Sequence, residues 1–275
     1  MRERALSAAV LVPVLLGVVL VGGLGLAAAI AIVTVFVARE TFALLRLAGH
    51  PTRAALGTVL ALAFLFEASF PEILEGSGLL LVAIGVILVA ASSFVERDPR
   101  IGLTTWVATS FGATYVALLA FVIRLGHEAP AIQPGSALAG LGPERGWILL
   151  LLLAVWSYDT GAYLVGRQFG RARFLSHISP SKTYAGLVGG IACATVVVAA
   201  LLAALGQAPI HALALGPLVA LAAQAGDLAE SMLKRAADVK DSGDLIPGHG
   251  GMLDRVDSFL FAAPVMTLYV VAFLA

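Results

Sequence analysis

The strongest constraint on the fold of this chain is a series of long apolar stretches separated by short polar connections. A helix that crosses a membrane needs about 20 apolar residues. Nine stretches approach this length, so the sequence predicts an all-α polytopic membrane protein with about nine transmembrane helices. The predicted helices are Ala5–Val21, Leu24–Val37, Ala54–Phe70, Gly78–Val95, Ile101–Ile123, Trp147–Leu164, Ala185–Leu205, Leu213–Leu228 and Ser258–Ala275.

Composition supports this class of protein. Hydrophobic residues make up 60% of the chain and charged residues only 12%, whereas about 25% of the residues in a soluble domain are charged. A net charge of zero gives no indication of a nucleic-acid partner. The single cysteine, Cys193, excludes an intramolecular disulfide, and its small neighbours indicate a role in helix packing. The apolar stretch Ala5–Ala38 is too long for a cleaved signal peptide, so we expect it to be retained.

Basic residues predict the orientation of the chain, because cytoplasmic loops collect Lys and Arg. With nine helices, all 17 basic residues except Arg124 and Arg145 fall on the side that holds the N-terminus. We therefore predict a multi-pass protein of the cell inner membrane with a cytoplasmic N-terminus. Residues 1–146 would form about five N-terminal helices, and residues 147–275 a catalytic region with two cytoplasmic loops. The segment Arg39–Arg46 alternates charged and apolar residues, which is typical of an interfacial amphipathic helix.

Charged residues concentrate in the second half of the chain. Every lysine, and every aspartate except Asp98, lies between Asp159 and Asp257. Ionisable groups at membrane depth are costly and usually mark a functional path. If the eighth helix continues beyond the membrane, one of its faces carries two carboxylates, a hydroxyl and an ammonium. These groups belong to Asp227, Glu230, Ser231 and Lys234.

A glycine-rich loop follows this helix and contains Lys240, Asp241 and the segment Pro247–Gly251. Such loops can approach phosphates closely through backbone N–H groups, although most are simple turns. Asp254 and Asp257 then face one way at the start of the last helix, and helix capping explains only one of them. Carboxylates suit Mg²⁺, and cations complement phosphate. The pattern therefore indicates metal-assisted phosphoryl or nucleotidyl transfer.

A second polar cluster precedes the seventh helix. Asp159 lies within an apolar helix, where a purely structural role is harder to explain. The turn that contains Ser179, Lys182 and Thr183 has two interpretations. It is either the N-cap turn of the seventh helix or a set of hydroxyls and an ammonium that grips a triphosphate.

Together the two clusters resemble the signature of the CDP-diacylglycerol synthases, also called phosphatidate cytidylyltransferases. The resemblance covers residues 156–258, and the N-terminal half contributes only topology. The matching residues are Asp159-x-Gly161-Ala162-Tyr163, Gly166-Arg167-x-Phe169-Gly170, Ser179-Pro180-x-Lys182-Thr183, Gly226-Asp227-Leu228-x-Glu230, Ser231, Lys234-Arg235, Lys240-Asp241, Gly243, Pro247-Gly248-His249-Gly250-Gly251, Asp254-Arg255 and Asp257-Ser258.

The resemblance implies transfer of a cytidylyl group from CTP to phosphatidic acid at the lipid bilayer, with Mg²⁺ as cofactor. It implies that Asp227, Asp254 and Asp257 bind the metal. The candidate catalytic residues are Asp227, Lys234, Arg235, Lys240, Asp241, His249, Asp254, Arg255 and Asp257. The candidate substrate-binding residues are Asp159, Ser179, Lys182, Thr183, Ser231, Gly250 and Gly251. A homodimer is one candidate oligomeric state.

Two positions depart from the family's usual pattern, since Ala185 replaces a glutamate and Ser181 replaces a common lysine. The nearest alternative function is CTP-dependent transfer to another lipid acceptor, such as a polyprenol. A secondary transporter would use its intramembrane acids for ion coupling, but it should carry inverted repeats, and the sequence shows none. A catalytically inactive relative is the third alternative, and an assay with labelled CTP would separate it from an enzyme.

Overall fold

The structure, a computed structural model, describes residues 2–73, 76–245 and 250–274, and the side chains from residue 12 onward within these ranges. The regular elements over the described residues are helices. They are α1 (Arg2–Val21), α2 (Gly23–Leu47), α3 (Ala54–Ser69), α4 (Gly78–Ser93), α5 (Pro99–Ala117), α6 (Ala120–Glu128), α7 (Pro143–Phe169), α8 (Tyr184–Ala204), α9 (Ala212–Ala236) and α10 (Leu253–Phe273), with two short 3-10 turns at Ala139–Leu141 and Pro209–His211.

Six helical segments in the described part of the chain are long and apolar enough to cross a membrane. They are Gly23–Leu47, Pro99–Glu128, Pro143–Phe169, Tyr184–Ala204, Pro209–Ala236 and Leu253–Phe273. Three further apolar helices are shorter: Val12–Val21, Ala54–Ser69 and Gly78–Ser93. The predicted all-helical class is confirmed, and these segments fit a multi-pass membrane protein. The count of nine spans and the cytoplasmic N-terminus stay predictions.

Helix α2 continues through the segment that the sequence predicted as a separate interfacial helix. The segment Arg39–Arg46 is helical, but the helix runs unbroken from Gly23 to Leu47. No glycine or proline interrupts it after Gly25, and the buried side chains of Thr41, Phe42 and Leu45 continue its packed face. Glu40 lies in this extension, two residues after Ala38.

The described chain forms two compact units, each of which is discontinuous in sequence. Unit 1 contains the residues up to Ile123 together with Met232–Val256, and unit 2 contains Arg124–Ser231 with Asp257–Ala275. The predicted division of the chain at residue 146 stays a prediction.

In unit 1, helices α2, α3 and α5 pack on one another around the fully buried ring of Phe42. Gly57 on α3 and Gly112 on α5 both lie against this ring, and a Cβ atom at either position would collide with it. The guanidinium of Arg53 forms an ion pair with Glu96 at 2.7 Å between Nη2 and Oε1. This ion pair connects the loop after α2 with the loop after α4.

In unit 2, α7 and α8 pack closely along most of their length. The close approach depends on glycines, because a Cβ at Gly190 would lie 2.6 Å from Cδ2 of Tyr158. A Cβ at Gly161 would lie 2.6 Å from Sγ of Cys193, so the cysteine has the packing position that the sequence predicted. Tyr158 also donates a hydrogen bond of 2.6 Å to Oε1 of Gln224 on α9.

Candidate active site

Three carboxylates of unit 2 converge on one point. Asp227 and Glu230 lie one turn apart on α9, and Asp257 lies near the start of α10. One carboxylate oxygen from each lies within 4.8 Å of the other two. Glu230 is buried, whereas Asp227 and Asp257 are half-buried. We call these three residues the carboxylate cluster.

A glycine lets the two helices bring these acids together. Gly226 precedes Asp227, and a Cβ at this position would lie 3.1 Å from the Cα of Ser258 and would collide with the backbone oxygen of Asp257. Any larger residue would therefore push α9 away from the start of α10. The Gly226-Asp227 pair of the sequence motif thus has a structural explanation, since the glycine provides room and the aspartate provides the carboxylate.

A cation from the other polar segment of the sequence joins the carboxylate cluster. The ammonium of Lys182 forms an ion pair with Asp227, and both side chains are about one quarter exposed, at 26% and 22%. The structure therefore brings together two sequence clusters that lie more than 40 residues apart in the chain. A partly exposed lysine beside a group of acids is an arrangement that can receive both a metal ion and phosphate.

A small hairpin holds Lys182 in place before α8. Arg173 and Thr183 form an antiparallel bridge, and the backbone N–H of Phe174 donates to the carbonyl oxygen of Lys182 at 3.3 Å. Thr183 is the N-cap of α8, and its Oγ1 accepts a hydrogen bond from the Gly186 N–H at 3.1 Å. The N-cap interpretation of this turn is therefore correct for Thr183, and it leaves the Lys182 ammonium directed to Asp227.

In unit 1, Asp254 is the centre of a second polar group. Its Oδ1 accepts from the Lys234 ammonium at 2.6 Å, and the two side chains are only 8% and 11% exposed. Its Oδ2 accepts from the N–H groups of Ser242 and Gly251, both at 2.9 Å, and contacts Oγ of Ser242 at 2.8 Å. Both carboxylate oxygens are therefore engaged with protein donors. The metal-binding role that the resemblance implies for Asp254 stays a prediction.

A residue that the sequence did not indicate also enters this group. Glu40, on the extension of α2, accepts hydrogen bonds from the backbone N–H groups of Met252 and Leu253 at 2.9 and 2.7 Å. The Ser242 hydroxyl lies 2.8 Å from Oε2 of Glu40. Glu40 is 202 residues before Ser242 in the chain, so no spacing rule connects the two. The sequence places Glu40 only within the segment Arg39–Arg46 and indicates no role for it.

Comparison with known proteins identifies the family to which these groups belong. The sequence profile of the Cytidylyltransferase family matches residues 2–273. The chain belongs to the cytidylyltransferase family. A phosphatidate cytidylyltransferase from Synechocystis sp. is 35% identical over 292 aligned residues, which cover 99% of this chain and 97% of the relative. The resemblance that the motifs indicated is therefore confirmed, and it extends into the N-terminal half.

Two further relatives of this cytidylyltransferase match over shorter parts. A phosphatidate cytidylyltransferase from Bacillus subtilis is 45% identical over 123 residues, covering 44% of this chain and 45% of that protein. The uncharacterized protein YnbB from Escherichia coli is 34% identical over 197 residues, covering 70% of this chain and 61% of that protein.

The other candidate site residues of this cytidylyltransferase are placed as follows. Ser231 and Ser179 are buried, and Gly250 has a positive φ of 79°. Asp159 is exposed on α7. The remaining described candidates, all exposed, are Arg235, Lys240, Asp241 and Arg255. His249 lies outside the described residues, so its catalytic role stays a prediction.

Proposed function

We propose that the chain transfers the cytidylyl group of CTP to phosphatidic acid, producing CDP-diacylglycerol and pyrophosphate in phospholipid biosynthesis. The whole-length match to the cytidylyltransferase family and to a phosphatidate cytidylyltransferase supports this function. The observation that carries it in the structure is the carboxylate cluster with Lys182 bound to Asp227. Acids for a cation and an ammonium for phosphate are the groups that nucleotidyl transfer requires.

The carboxylate cluster fits the Mg²⁺ that this family implies. Magnesium prefers oxygen ligands and usually takes one or two carboxylates together with substrate phosphates. Asp227 and Asp257, two of the three metal ligands that the resemblance implied, would hold the ion, and the role of Asp254 stays a prediction. We add Glu230 because its carboxylate shares the same 4.8 Å group. When bound, Mg²⁺ offsets negative charge on the nucleotide phosphates.

The reaction is an in-line displacement at phosphorus. A phosphate oxygen of phosphatidic acid forms a bond to the α-phosphorus of CTP, and the bond from that phosphorus to pyrophosphate breaks. Because the attacking oxygen is already anionic, the protein needs no strong general base. Its residues orient the two substrates and neutralise charge. Lys182 contributes to this neutralisation beside Asp227, and the resemblance assigns the same role to Lys234, Arg235, Lys240 and Arg255.

The membrane location follows from the two substrates. We propose that the acyl chains of phosphatidic acid stay in the bilayer of the inner membrane and that the lipid enters laterally. CTP arrives from the cytoplasm, so the polar groups should lie at the cytoplasmic side. No nucleic-acid partner is proposed, and a homodimer stays a prediction.

The decisive assay uses the full chain, purified and reconstituted into lipid vesicles. Vesicles with phosphatidic acid, Mg²⁺ and CTP labelled at the α-phosphate should produce labelled CDP-diacylglycerol. A parallel panel of other lipid phosphates, including a polyprenyl phosphate, tests the acceptor. Labelling of another lipid in preference to phosphatidic acid would show that phosphatidic acid is not the acceptor. The absence of all CTP-dependent transfer would refute the enzyme function.

A further inference from the structure

Glu40 forms hydrogen bonds with the loop between α9 and α10, which carries part of the family signature. This loop lies between the end of α9 at Ala236 and the start of α10 at Leu253, and its described residues are 237–245 and 250–252. Glu40 contacts Ser242 within it and Met252 at its junction with α10. Its Oε1 accepts from the Met252 N–H, and its Oε2 accepts from the Leu253 N–H and lies 2.8 Å from Oγ of Ser242. One carboxylate from the N-terminal half of the chain therefore connects two residues of the loop with the first residue of α10.

The contacts of Glu40 also stabilise the start of α10. The first N–H groups of a helix have no partner inside the helix, and Leu253 is the first residue of α10. A carboxylate that accepts from these groups also interacts favourably with the positive end of the helix dipole. Glu40 thus provides a helix cap from a distant part of the sequence and fixes where α10 begins.

Two glycines of the signature are explained by the position of Glu40. A Cβ at Gly243 would lie 2.9 Å from Oε1 of Glu40, and each of its three nearest atoms belongs to the Glu40 side chain. A Cβ at Gly251 would collide with Oε2 of Glu40 and with Oγ of Ser242. The loop can enclose the carboxylate only because both positions lack a side chain.

The loop held in this way carries Asp254, the partner of Lys234. Ser242 and Gly251 donate to Asp254, while Ser242 also contacts Glu40. The carboxylates of Glu40 and Asp254 therefore both contact Ser242. They also accept hydrogen bonds from consecutive backbone N–H groups, Asp254 from Gly251 and Glu40 from Met252 and Leu253. Displacement of Glu40 would shift the segment that sets the position of the Lys234–Asp254 ion pair.

We propose that Glu40 is a positioning residue for the cytidylyl transfer, acting through the loop and the Lys234–Asp254 pair without touching substrate. This inference rests on the proposed function. It also assigns a role in the reaction to the N-terminal half of the chain, which the sequence motifs connected only with topology.

The test compares Glu40→Gln with the wild-type protein in the vesicle assay. The amide keeps the shape but offers one acceptor oxygen, so at least one of the Met252 and Leu253 N–H groups loses its partner. We expect kcat to fall by on the order of 10- to 100-fold, because small displacements of positioned groups have effects of this size. The KM for CTP should change much less, since in this proposal Glu40 acts without touching substrate. Arg39→Gln, an exposed neighbour on the same helix, is the matched control and should keep wild-type activity.

A double-mutant cycle separates positioning from a general loss of stability. Gly243→Ala should lower kcat in the wild-type background, because the new methyl group presses on Glu40, and it should have little effect in a Glu40→Ala background. The folded fraction of each variant is measured by size-exclusion chromatography in detergent, and kcat is expressed per folded molecule. Equal effects of Gly243→Ala in both backgrounds would overturn the proposal.

Two further results would be informative. An unchanged kcat in Glu40→Gln, with wild-type transfer intact, would refute the positioning role alone. Absence of transfer in the wild-type protein would instead count against the proposed function.

Discussion

In unit 2, Asp227 lies close both to other carboxylates and to an ammonium group. It belongs to the carboxylate cluster, and it also forms the ion pair with Lys182. The motif and the helical spacing could predict that Asp227 and Asp257 matter, because both follow from local sequence. The same spacing placed Glu230 on the correct face of α9, but it gave no reason to assign a role. Only the approach of α10 shows that Glu230 faces Asp257.

The first residue-scale prediction concerns Asp227→Asn. This change removes one charge from the carboxylate cluster and the partner of Lys182 at the same time. We expect the initial rate of CDP-diacylglycerol formation to fall by about 100-fold or more, in the range seen when a single electrostatic contribution is removed. Asp98→Asn is the matched control, because Asp98 caps α5 and asparagine caps equally well. The Asp98→Asn control should keep a rate within twofold of wild type. The same result for Asp227→Asn would exclude Asp227 from the reaction.

The second residue-scale prediction concerns Glu230→Gln and the metal. If Glu230 is a ligand, the Mg²⁺ concentration that gives half-maximal activity should rise, while activity at saturating Mg²⁺ should recover in part. A titration of activity against Mg²⁺ measures this. The control is Glu128→Gln, which changes an exposed acid that is paired only weakly, at 3.8 Å, with Arg124. An unshifted Mg²⁺ titration in Glu230→Gln would show that the metal does not contact this residue.

At the scale of elements, apolar stretches predicted the positions of helices well, because each stretch is long and uninterrupted. The ends were less predictable. The continuation of the eighth predicted helix beyond Leu228, on which its predicted polar face depends, is confirmed by α9, which runs to Ala236, whereas the unbroken run of α2 to Leu47 was not predicted. Charged residues beyond an apolar core are compatible with a continuing helix when no glycine or proline stops it. These two extensions carry Glu40 and Lys234 beyond the apolar cores of their helices.

Helix packing in unit 2 leads to a prediction about stability. Gly190→Val introduces a side chain where a Cβ would already lie 2.6 Å from the Tyr158 ring. Such overpacking costs about 1–3 kcal/mol, so the unfolding temperature of the purified protein in detergent should fall. Gly17→Ala is the control, because a Cβ there meets no atom within 4 Å. A Gly190→Val variant as stable as this control would contradict the close α7–α8 packing.

At the scale of the whole molecule, charge distribution predicts the topology, and labelling can test it. In a Cys193→Ala background, Ser176→Cys should react with a membrane-impermeant thiol reagent only from the cytoplasmic side. Glu72→Cys should react only from the opposite side. Both positions are exposed in the structure. Reaction of both from the same side would exclude the nine-helix arrangement, whereas the all-helical fold would be unaffected.

Contacts between residues far apart in the chain could not be predicted from the sequence. Motif residues identified the segments to which we assign the chemistry, because their spacing reflects local structure. The contact of Glu40 with Met252 spans 212 residues, and the approach of Lys182 to Asp227 depends on how α7, α8 and α9 fold together. Such pairings depend on tertiary packing. The spacing of residues in a single sequence indicates which residues share a helix face, but not which distant segments come into contact.

We propose that acids from two helices, α9 and α10, hold a divalent cation for the nucleotide. The most direct measurement is diffraction from crystals of the full-length protein grown with Mn²⁺ and a non-reactive CTP analogue, recorded at an X-ray energy where manganese scatters anomalously. We expect an anomalous peak in contact with carboxylate oxygens of Asp227 and Asp257. A peak that avoids both residues, or no peak while the nucleotide is visibly bound, would contradict it.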